Sequence, residues 1–251
     1  MTEHDDTAAV GFGIDIGGSG MKAATVDLTT GALVSERRRI DTPQPATPEA
    51  MATVVRELVE HHNWTGPLGV AFPAVVRHGV VGSAANIDTS WIDVDADALF
   101  TSTTGCDVHM LNDADAAGIA EMTFGAGRGR SGLVMMLTFG TGIGSGLFID
   151  GVLVPNTELG HLELDGVDAE SRASAKARER DKLGWQEWAA RVERYLRHVE
   201  ALFSPDLFIV GGGASKKPSK WVPHIDIGTE IAVAEMANNS GIVGAAMAAP
   251  R

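Results

Sequence analysis

Two glycine-rich turns, each between strand-like apolar runs, constrain the fold of this 251-residue chain more than any other feature. The first lies in GIDIGGSGMKAATVDL, from Gly13, and the second in LTFGTGIGSGLFIDG, from Leu137. Alternating apolar residues on both sides of residues 17–20 predict two short strands joined by a hairpin. Strands at 133–139 and 143–149 repeat the pattern around residues 140–142, and Asp150 with Gly151 predicts a tight turn into residues 152–154. One glycine hairpin in each half indicates a duplicated architecture.

The residues after each turn exclude two common nucleotide-binding folds. A Rossmann fold places a helix directly after its glycines, whereas residues 22–28 have the pattern of a strand. A Walker A loop requires G-x-x-x-x-G-K-[ST], which the chain lacks. Glycine tolerates positive φ and lets backbone N–H groups approach an anion, so both turns are candidate phosphate cradles. The alternative is an ordinary hairpin turn, which a single turn of this kind would favour.

A carboxylate lies between the two hairpins, in the segment LNDADAAG. Residues 108–111 are predicted to form an inner strand and residues 114–124 a helix, so Asn112 and Asp113 follow the C-terminal end of the strand. Ligand sites of open α/β sheets lie at such ends. Two phosphate cradles around one candidate base indicate phosphoryl transfer. The alternative is that Asp113 only caps the helix that it precedes.

Hydrophobic periodicity outlines the remaining elements. Helices are predicted at residues 48–61 and 185–203, and a small-residue helix able to pack closely on another element begins at Gly241. Strands are predicted at residues 68–72, 80–84 and 207–210. The turn-rich segment 125–132 predicts a domain boundary. Residues 1–125 with 240–251 would then form a smaller α/β domain carrying the first hairpin, and residues 126–239 a larger one carrying the second.

The net charge limits the partners of this chain. A formal charge of −13 at pH 7 argues against a general nucleic-acid binder, and a polyanion could bind only in a local basic groove. The candidate basic groups are Arg128 and Arg130; Arg172, Lys176, Arg178, Arg180 and Lys182; and Lys216, Lys217 and Lys220. The alternative is that these side chains solvate exposed faces.

The cysteine content and the length of the apolar runs indicate the cellular compartment. The single cysteine, Cys106, excludes internal disulfides and a multi-cysteine zinc site, and a small buried apolar role is expected for it. No apolar run has the length of a membrane span, and the first residues have neither a basic nor an apolar targeting region. A cytoplasmic protein without a membrane partner is therefore expected.

Five ordered segments together resemble the ROK sugar kinases of the actin-like ATPase superfamily. They are GIDIGGSGMK, NDADAA, LTFGTGIGSGLFIDG, the ELGH from Glu158 to His161, and IVGGGAS. The resemblance implies an α/β, actin-like ATPase (ribonuclease H-like) fold with two α/β domains around a central cleft. It also implies a C-terminal helix that returns to the first domain, a Mg²⁺ cofactor, and a homodimer.

One departure from the family pattern is informative. Many members carry C-x-C-G-x-x-G-C-x-E after the Gly-His pair, whereas this chain has LELDGVDAESRASAKARERDK, so no structural zinc is expected. The missing motif also removes a sugar-contacting glutamate, for which Glu170 is a candidate replacement without further support in the sequence. With this motif absent, the chain is similar to the polyphosphate glucokinases, including polyphosphate/ATP glucomannokinases.

That similarity implies phosphoryl transfer from inorganic polyphosphate, ATP or both to the 6-hydroxyl of glucose, with mannose as a second acceptor to consider. One alternative is an ATP-only kinase of another hexose or an N-acetyl amino sugar. Another, of a different class, is a non-catalytic sugar-binding or regulatory protein.

The resemblance also assigns roles to residues. Asp113 is the expected catalytic base, and Asn86, Asn112, Glu158 and His161 are the expected sugar contacts. Asp15 is expected to hold Mg²⁺ through water. The expected donor-phosphate residues are Asp15, Gly17, Gly18, Ser19, Gly20, Lys22, Thr138, Gly140, Thr141, Gly142, Gly211, Gly212 and Gly213.

Overall fold

The computed structural model describes residues 9–85 and 87–250. The chain divides into two units, one of Met1–Ala116 with Gly241–Arg251 and one of Ala117–Ser240. We call them unit 1 and unit 2. Each unit has its own sheet and its own apolar core.

Fourteen strands and seven α-helices are formed by the described residues. The strands are β1 (Val10–Ile16), β2 (Met21–Asp27), β3 (Arg38–Ile40), β4 (Leu68–Phe72), β5 (Val76–Arg77), β6 (Val80–Val81), β7 (Val108–Asn112), β8 (Leu133–Phe139), β9 (Ile143–Ile149), β10 (Val152–Val154), β11 (Glu163–Leu164), β12 (Val167–Asp168), β13 (Leu207–Gly211) and β14 (Glu230–Val233). The helices are α1 (Pro48–His61), α2 (Ala96–Thr104), α3 (Asp113–Phe124), α4 (Glu170–Ala173), α5 (Ala175–Arg180), α6 (Trp185–Phe203) and α7 (Ser240–Ala248). Short 3₁₀ turns lie at Thr89–Trp91, Leu159–His161, Gly213–Lys216, Pro218–Lys220, Val222–His224 and Ala237–Asn239.

The two large sheets share one topology. Sheet 1 has the order β3-β2-β1-β4-β7, and sheet 2 the order β10-β9-β8-β13-β14. In each sheet, the first three strands in this order pair antiparallel with one another. The fourth strand pairs parallel to the third, and the fifth pairs parallel to the fourth. In both sheets the central strand of the five leads into a glycine hairpin. The predicted duplication is therefore confirmed.

The C-terminal helix α7 packs on sheet 1 through glycines. A Cβ on Gly13 would overlap the carbonyl oxygen of Ile242, and one on Gly69 would overlap that of Ala245. A Cβ on Gly244 would likewise overlap the carbonyl of Ala116. Backbone lies against backbone at all three positions, so side chains are excluded there. The close packing predicted for this small-residue helix is confirmed.

Helix α6 covers sheet 2 with an apolar face. Its buried residues are Trp188, Ala189, Val192, Tyr195, Leu196 and Val199. Phe139, the last residue of β8, packs against the Trp188 ring with centroids 6.0 Å apart, and against Trp221 at 5.7 Å. This aromatic cluster fixes the end of the strand from which the second glycine turn leaves.

Most predicted elements are found, and some bounds differ. The helices at 48–61 and 185–203 and the strands at 68–72, 133–139, 143–149 and 152–154 are confirmed to the residue. The strand predicted at 80–84 is wrong beyond Val81, because Gly82 and Ser83 turn back to hydrogen-bond Val75. Cys106 is a free thiol and is 2% exposed, as expected for a small apolar residue. Within the described residues, no helix is both long enough and apolar enough to cross a membrane.

Candidate active site

The first glycine turn joins β1 to β2 at the carboxyl edge of sheet 1. Ile16 pairs with Met21, which leaves a four-residue loop closed by a 3.1 Å hydrogen bond from Gly17 N to the Gly20 carbonyl. None of its three glycines has a positive φ, so the expectation that conformational freedom requires them is wrong. A Cβ on Gly18 would meet nothing within 4 Å, whereas one on Gly20 would overlap the Arg39 guanidinium. The backbone of the turn is therefore open to a ligand.

A row of charged side chains crosses the strands beside this turn. Asp15 pairs with Lys22 across β1 and β2, and Lys22 pairs with Arg39 across β2 and β3, so all three lie on one face. The Lys22 Nζ is 2.9 Å from the Asp15 carboxylate. The Arg39 guanidinium donates to the Ser19 carbonyl at 2.7 Å and lies against Gly20. Arg39 is thus a donor-site candidate that sequence reasoning missed.

Asp113 lies at the same edge of sheet 1. It begins α3 directly after β7, which is parallel to β1 with β4 between them. Strands are spaced by about 4.8 Å, so two strand spacings, roughly 10 Å, separate β7 from β1. Asp113 is partly exposed. The structure therefore places the expected base and the first glycine turn on one edge.

The Asn112 side chain holds the start of α3. Its Oδ1 accepts from Ala114 N at 2.8 Å and from Asp115 N at 3.2 Å, and its Nδ2 donates to the Ala74 carbonyl at 3.1 Å. Asn112 is 6% exposed. The capping alternative considered for Asp113 thus belongs to Asn112. The carboxylate of Asp113 sits on a rigid strand-to-helix junction.

A cavity of about 260 Å³ opens beside the first turn in unit 1. Its lining includes Gly17, Gly18, Thr42, Gln44 and Asp88, and does not include Asp113. Thr42 Oγ1 donates to the Gly17 carbonyl at 2.5 Å, which fixes one side of the turn. Asn86, predicted to contact the sugar, lies outside the described residues.

The second glycine turn leaves β8 at the carboxyl edge of sheet 2. Phe139 pairs with Ile143, and Gly140 N donates to the Gly142 carbonyl at 3.0 Å. A Cβ on Gly140 would meet nothing within 4 Å, whereas one on Gly142 would overlap the Glu170 carboxylate. Thr141 lies between these two glycines at the tip of the turn. This turn repeats the open backbone of the first.

The triple-glycine segment adjoins the second turn. Gly211 ends β13 and pairs with Thr138 of the neighbouring parallel strand β8. Gly212 has φ +77, and a Cβ there would lie 2.7 Å from the Phe139 nitrogen. Gly213 follows and opens a 3₁₀ turn. The structure therefore brings together all the donor residues predicted in unit 2.

Glu158 and His161 form a polar cluster with two further carboxylates. His161 Nδ1 is 2.9 Å from Asp168 Oδ2, and its Nε2 is 3.9 Å from Glu158 Oε2. Glu170 accepts a hydrogen bond from Ile143 N at 3.0 Å and interacts electrostatically with both Glu158 and His161. Sequence reasoning missed Asp168 and left Glu170 unsupported. Neither has a local pattern that marks it.

Two groups of this cluster, His161 and Glu158, have raised pKa values. The hydrogen bond to Asp168 raises the pKa of His161, aided by the Glu170 and Glu158 charges and opposed by desolvation. Burial raises the pKa of Glu158, and Glu170 adds to the rise while His161 opposes it. Histidine and carboxyl groups that can donate and accept hydrogen bonds suit hydroxyl-rich ligands.

The side chains at this site could hold Mg²⁺ only together with waters and substrate phosphates. Among residues 9–85 and 87–250 no group of three or more His, Cys, Asp or Glu side chains could hold a metal ion. Mg²⁺, however, usually binds through one or two carboxylates, several waters and substrate phosphates. Asp15, 18% exposed beside an open phosphate turn, supplies one such carboxylate. The residues present therefore fit a metal that arrives with the phosphate donor.

The sequence profile of the ROK family matches residues 11–175, about two thirds of the chain and including both glycine turns. The chain belongs to the ROK family. A polyphosphate glucokinase of Mycobacterium tuberculosis is 52% identical over 239 residues, which is 95% of this chain and 90% of that protein. The sequence-based assignment to this family is thereby confirmed.

Solved structures of ROK proteins agree with this fold. An inorganic polyphosphate/ATP-glucomannokinase from Arthrobacter sp. strain KM has a TM-score of 0.92 and 53% identity, covering 95% of this chain and 97% of that one. A ROK family glucokinase from Streptomyces griseus, in complex with glucose and AMPPNP, has a TM-score of 0.83 and 24% identity, covering 96% and 99%. The actin-like ATPase fold predicted for this ROK chain is confirmed.

Proposed function

We propose that this ROK protein is a hexokinase that transfers a phosphoryl group from inorganic polyphosphate, ATP or both to the 6-hydroxyl of glucose. The observation that carries the proposal is the identity of 52–53% over 95% of the chain to a polyphosphate glucokinase and a polyphosphate/ATP-glucomannokinase. Because the glucomannokinase is named for two sugars, mannose is the second acceptor to test.

Asp113 would act as the base. A sugar hydroxyl is a poor nucleophile, so it must be oriented in line with the phosphorus while a carboxylate accepts its proton. Asn112 supports this role because its hydrogen bonds to Ala114 N and Ala74 O fix the junction that carries Asp113. Asn112 is itself a proposed sugar contact. Because its side chain is already hydrogen-bonded within the protein, its main role would be to position Asp113.

Glu158 and His161 would orient the sugar. With Nδ1 held by Asp168, the free Nε2 of His161 is directed toward Glu158, and the two groups can bridge neighbouring hydroxyls. We add Glu170 to this set because its carboxylate interacts with both. Asn86 completes the proposed contacts. Misplacing a reacting hydroxyl by about 1 Å can lower a rate on the order of 100-fold, so these contacts control turnover.

The two glycine turns would hold the donor phosphates. Open backbone at Gly18 and Gly140 lets N–H groups approach phosphate oxygens closely. The other donor contacts proposed are Asp15, Gly17, Ser19, Gly20, Lys22, Thr138, Thr141, Gly142, Gly211, Gly212 and Gly213. Mg²⁺, held by Asp15 through water, would neutralise charge on the transferring phosphates.

We also propose that units 1 and 2 are the two domains of the enzyme, and that it acts as a cytoplasmic homodimer.

A matrix of donors and sugars tests the function. Purified protein with Mg²⁺ is given polyphosphate or ATP and glucose, mannose, fructose or N-acetylmannosamine, and the products are identified by ³¹P NMR. The expected product is glucose 6-phosphate with at least one donor, and Asp113→Asn serves as the inactive control. Turnover confined to ATP and another sugar would support the second kinase reading. Glucose binding by calorimetry without any turnover would support the regulatory one.

A further inference from the structure

Unit 2 contains a second concave site, outside the residues assigned above. It has a volume of about 380 Å³ and is bordered by β11, β12, α4 and α6. Its charged lining, which we call the arginine pocket, consists of Arg172, Arg180, Arg191, Arg194, Asp165 and Asp181. Four positive and two negative side chains leave an excess of positive charge in a chain whose net charge is −13.

The aspartates fix three of the guanidinium groups in place. Asp181 accepts from Arg180 at 2.7 Å and from Arg191 at 2.7 Å, and Arg194 binds Asp165 with two nitrogens. Arginine hydrogen bonds lower the pKa of Asp181 to about 2, Arg180 contributing first and Arg191 second. These carboxylates therefore remain ionised at neutral pH. Each guanidinium has five N–H donors, so every arginine retains donors for a ligand.

Arg172 is the uncommitted cation of the pocket. Its side chain is exposed, and its charge acts on Asp165, which Arg194 already holds by two hydrogen bonds. Its backbone carbonyl accepts from Arg191 at 3.3 Å, which ties its position to the other arginines. An exposed arginine beside three oriented ones is a site for a multiply charged anion.

The pocket is connected to the second glycine turn by two short helices. Lys176 N, in the first turn of α5, donates to the Gly140 carbonyl at 3.1 Å, and Glu170, the first residue of α4, binds Ile143 N. Arg172 follows in α4, and Arg180 ends α5. Six residues of α5 span about 9 Å. A ligand that contacts both places must extend along α5, and a linear polyanion has that shape.

We propose that the arginine pocket binds a distal stretch of a linear polyphosphate chain whose reacting end lies at the second glycine turn. This inference rests on the proposed use of polyphosphate as donor. ATP, whose negative charge is confined to three phosphates, would make fewer contacts with the pocket than a long chain. The pocket would therefore discriminate between donors by chain length rather than by chemistry at the reacting end.

A charge reversal at Arg172 tests the pocket, because its exposed side chain takes part in none of the hydrogen bonds that hold the other three arginines. Arg172→Glu is compared with Arg56→Glu, an exposed arginine of α1 in unit 1 with the same charge change. KM is measured for long-chain polyphosphate, tripolyphosphate and ATP. We expect Arg172→Glu to raise KM for the long chain by about tenfold, and to leave the other two within about twofold. Arg56→Glu should alter none of them.

Direct binding separates failure of the pocket from failure of the proposed function. Calorimetry with long-chain polyphosphate, without sugar, requires no turnover and applies even if ATP is the only donor. Weaker binding by Arg172→Glu and a shallower salt dependence would support the pocket. Unchanged binding, an equal rise in KM for ATP, or no binding by the unaltered protein would overturn it.

Discussion

The Lys22 ammonium lies 2.9 Å from the Asp15 carboxylate, across the paired strands that lead into the first glycine turn. Both side chains are only partly exposed, at 27% and 18%. Without a metal, Lys22 is the cation that neutralises Asp15. If Mg²⁺ binds Asp15 together with a phosphate donor, as proposed, Asp15 would have a second cation and Lys22 would be able to turn to a phosphate oxygen. The pair would then couple the metal to the donor.

Asp15→Asn removes the charge and keeps the shape, so we expect it to weaken the response to Mg²⁺. A partly exposed ion pair contributes only about 0.2–1 kcal/mol, so folding should be nearly unaffected. The measurement is the initial rate titrated with Mg²⁺, where the concentration for half-maximal rate should rise on the order of tenfold. Lys22→Met is the matched control, with a raised donor KM and no rise in the Mg²⁺ requirement. A normal Mg²⁺ titration for Asp15→Asn would remove Asp15 from the metal site.

The glycines of the turns make a second prediction. Gly18→Ala and Gly140→Ala add a methyl group that meets no protein atom within 4 Å, at positions without positive φ. We expect both variants to keep their melting temperature and to raise the donor KM, because the methyl group blocks phosphate from the backbone N–H groups. Gly82→Ala, whose nearest atom would be Val75 at 3.5 Å, is the control with unchanged KM.

Gly212→Ala should behave differently from these variants. Its φ of +77 and the Phe139 backbone 2.7 Å away leave no room for a Cβ. We expect a loss of stability of about 1–3 kcal/mol from this backbone conformation alone, which is essentially restricted to glycine, measured by thermal or urea unfolding. If Gly140→Ala lost as much stability as Gly212→Ala, the turn would be a structural element rather than a phosphate cradle.

The sequence predicted the hairpins because the signal for them is local. Glycines between alternating apolar runs define both turns, and the register of β8 with β9 follows directly. The reason given for the glycines was partly wrong, because only Gly212 among the predicted donor glycines has a positive φ. Residues 18 and 140 face open space, and residues 20 and 142 leave room for the Arg39 and Glu170 side chains. The sequence shows where a glycine lies, but only the neighbouring atoms in the structure show why a glycine is needed there.

The residues that were missed depend on contacts between distant segments. Arg39 reaches Ser19 only because β3 pairs with β2. The segment RRRI contains three consecutive arginines, and the sequence does not show which of them faces the turn. Asp168 meets His161 through the two-residue strands β11 and β12, which are too short for periodicity to reveal. The capping role of Asn112 was accessible, since Asn before a helix is a common N-cap.

Asp113→Asn is the test of the base. The amide preserves size and the start of α3, whose cap is the Asn112 side chain, so the fold should be retained. General base catalysis contributes typically about 100-fold to 10,000-fold, and we expect kcat to fall within that range with little change in the glucose Kd. Asp107→Asn, an exposed carboxylate just before β7, is the control. Turnover near the unaltered level would assign Asp113 another role.

The contact between His161 and Asp168 predicts a pH dependence. Asp168 raises the pKa of His161 above its ordinary value, so the charged form is stabilised in the folded protein. The corresponding stability is fully present below the unfolded pKa, about 6.5, and is lost as pH rises through the higher folded value. Asp168→Asn should therefore reduce stability most in acidic solution, and the difference from the unaltered protein should shrink as pH rises past the folded pKa.

The His161 pKa itself is measured by NMR titration, with its signal assigned from a His161→Gln variant. We expect a value above the ordinary one in the unaltered protein and a downward shift in Asp168→Asn. His109 provides an internal reference, because its pKa is raised by a hydrogen bond to Asp97 in unit 1 and should not respond to the substitution. Since a charged His161 donates from both ring nitrogens, a lower pKa should also raise the glucose KM near neutral pH. An unshifted His161 pKa in Asp168→Asn would show that Glu170 and Glu158, rather than Asp168, set its protonation.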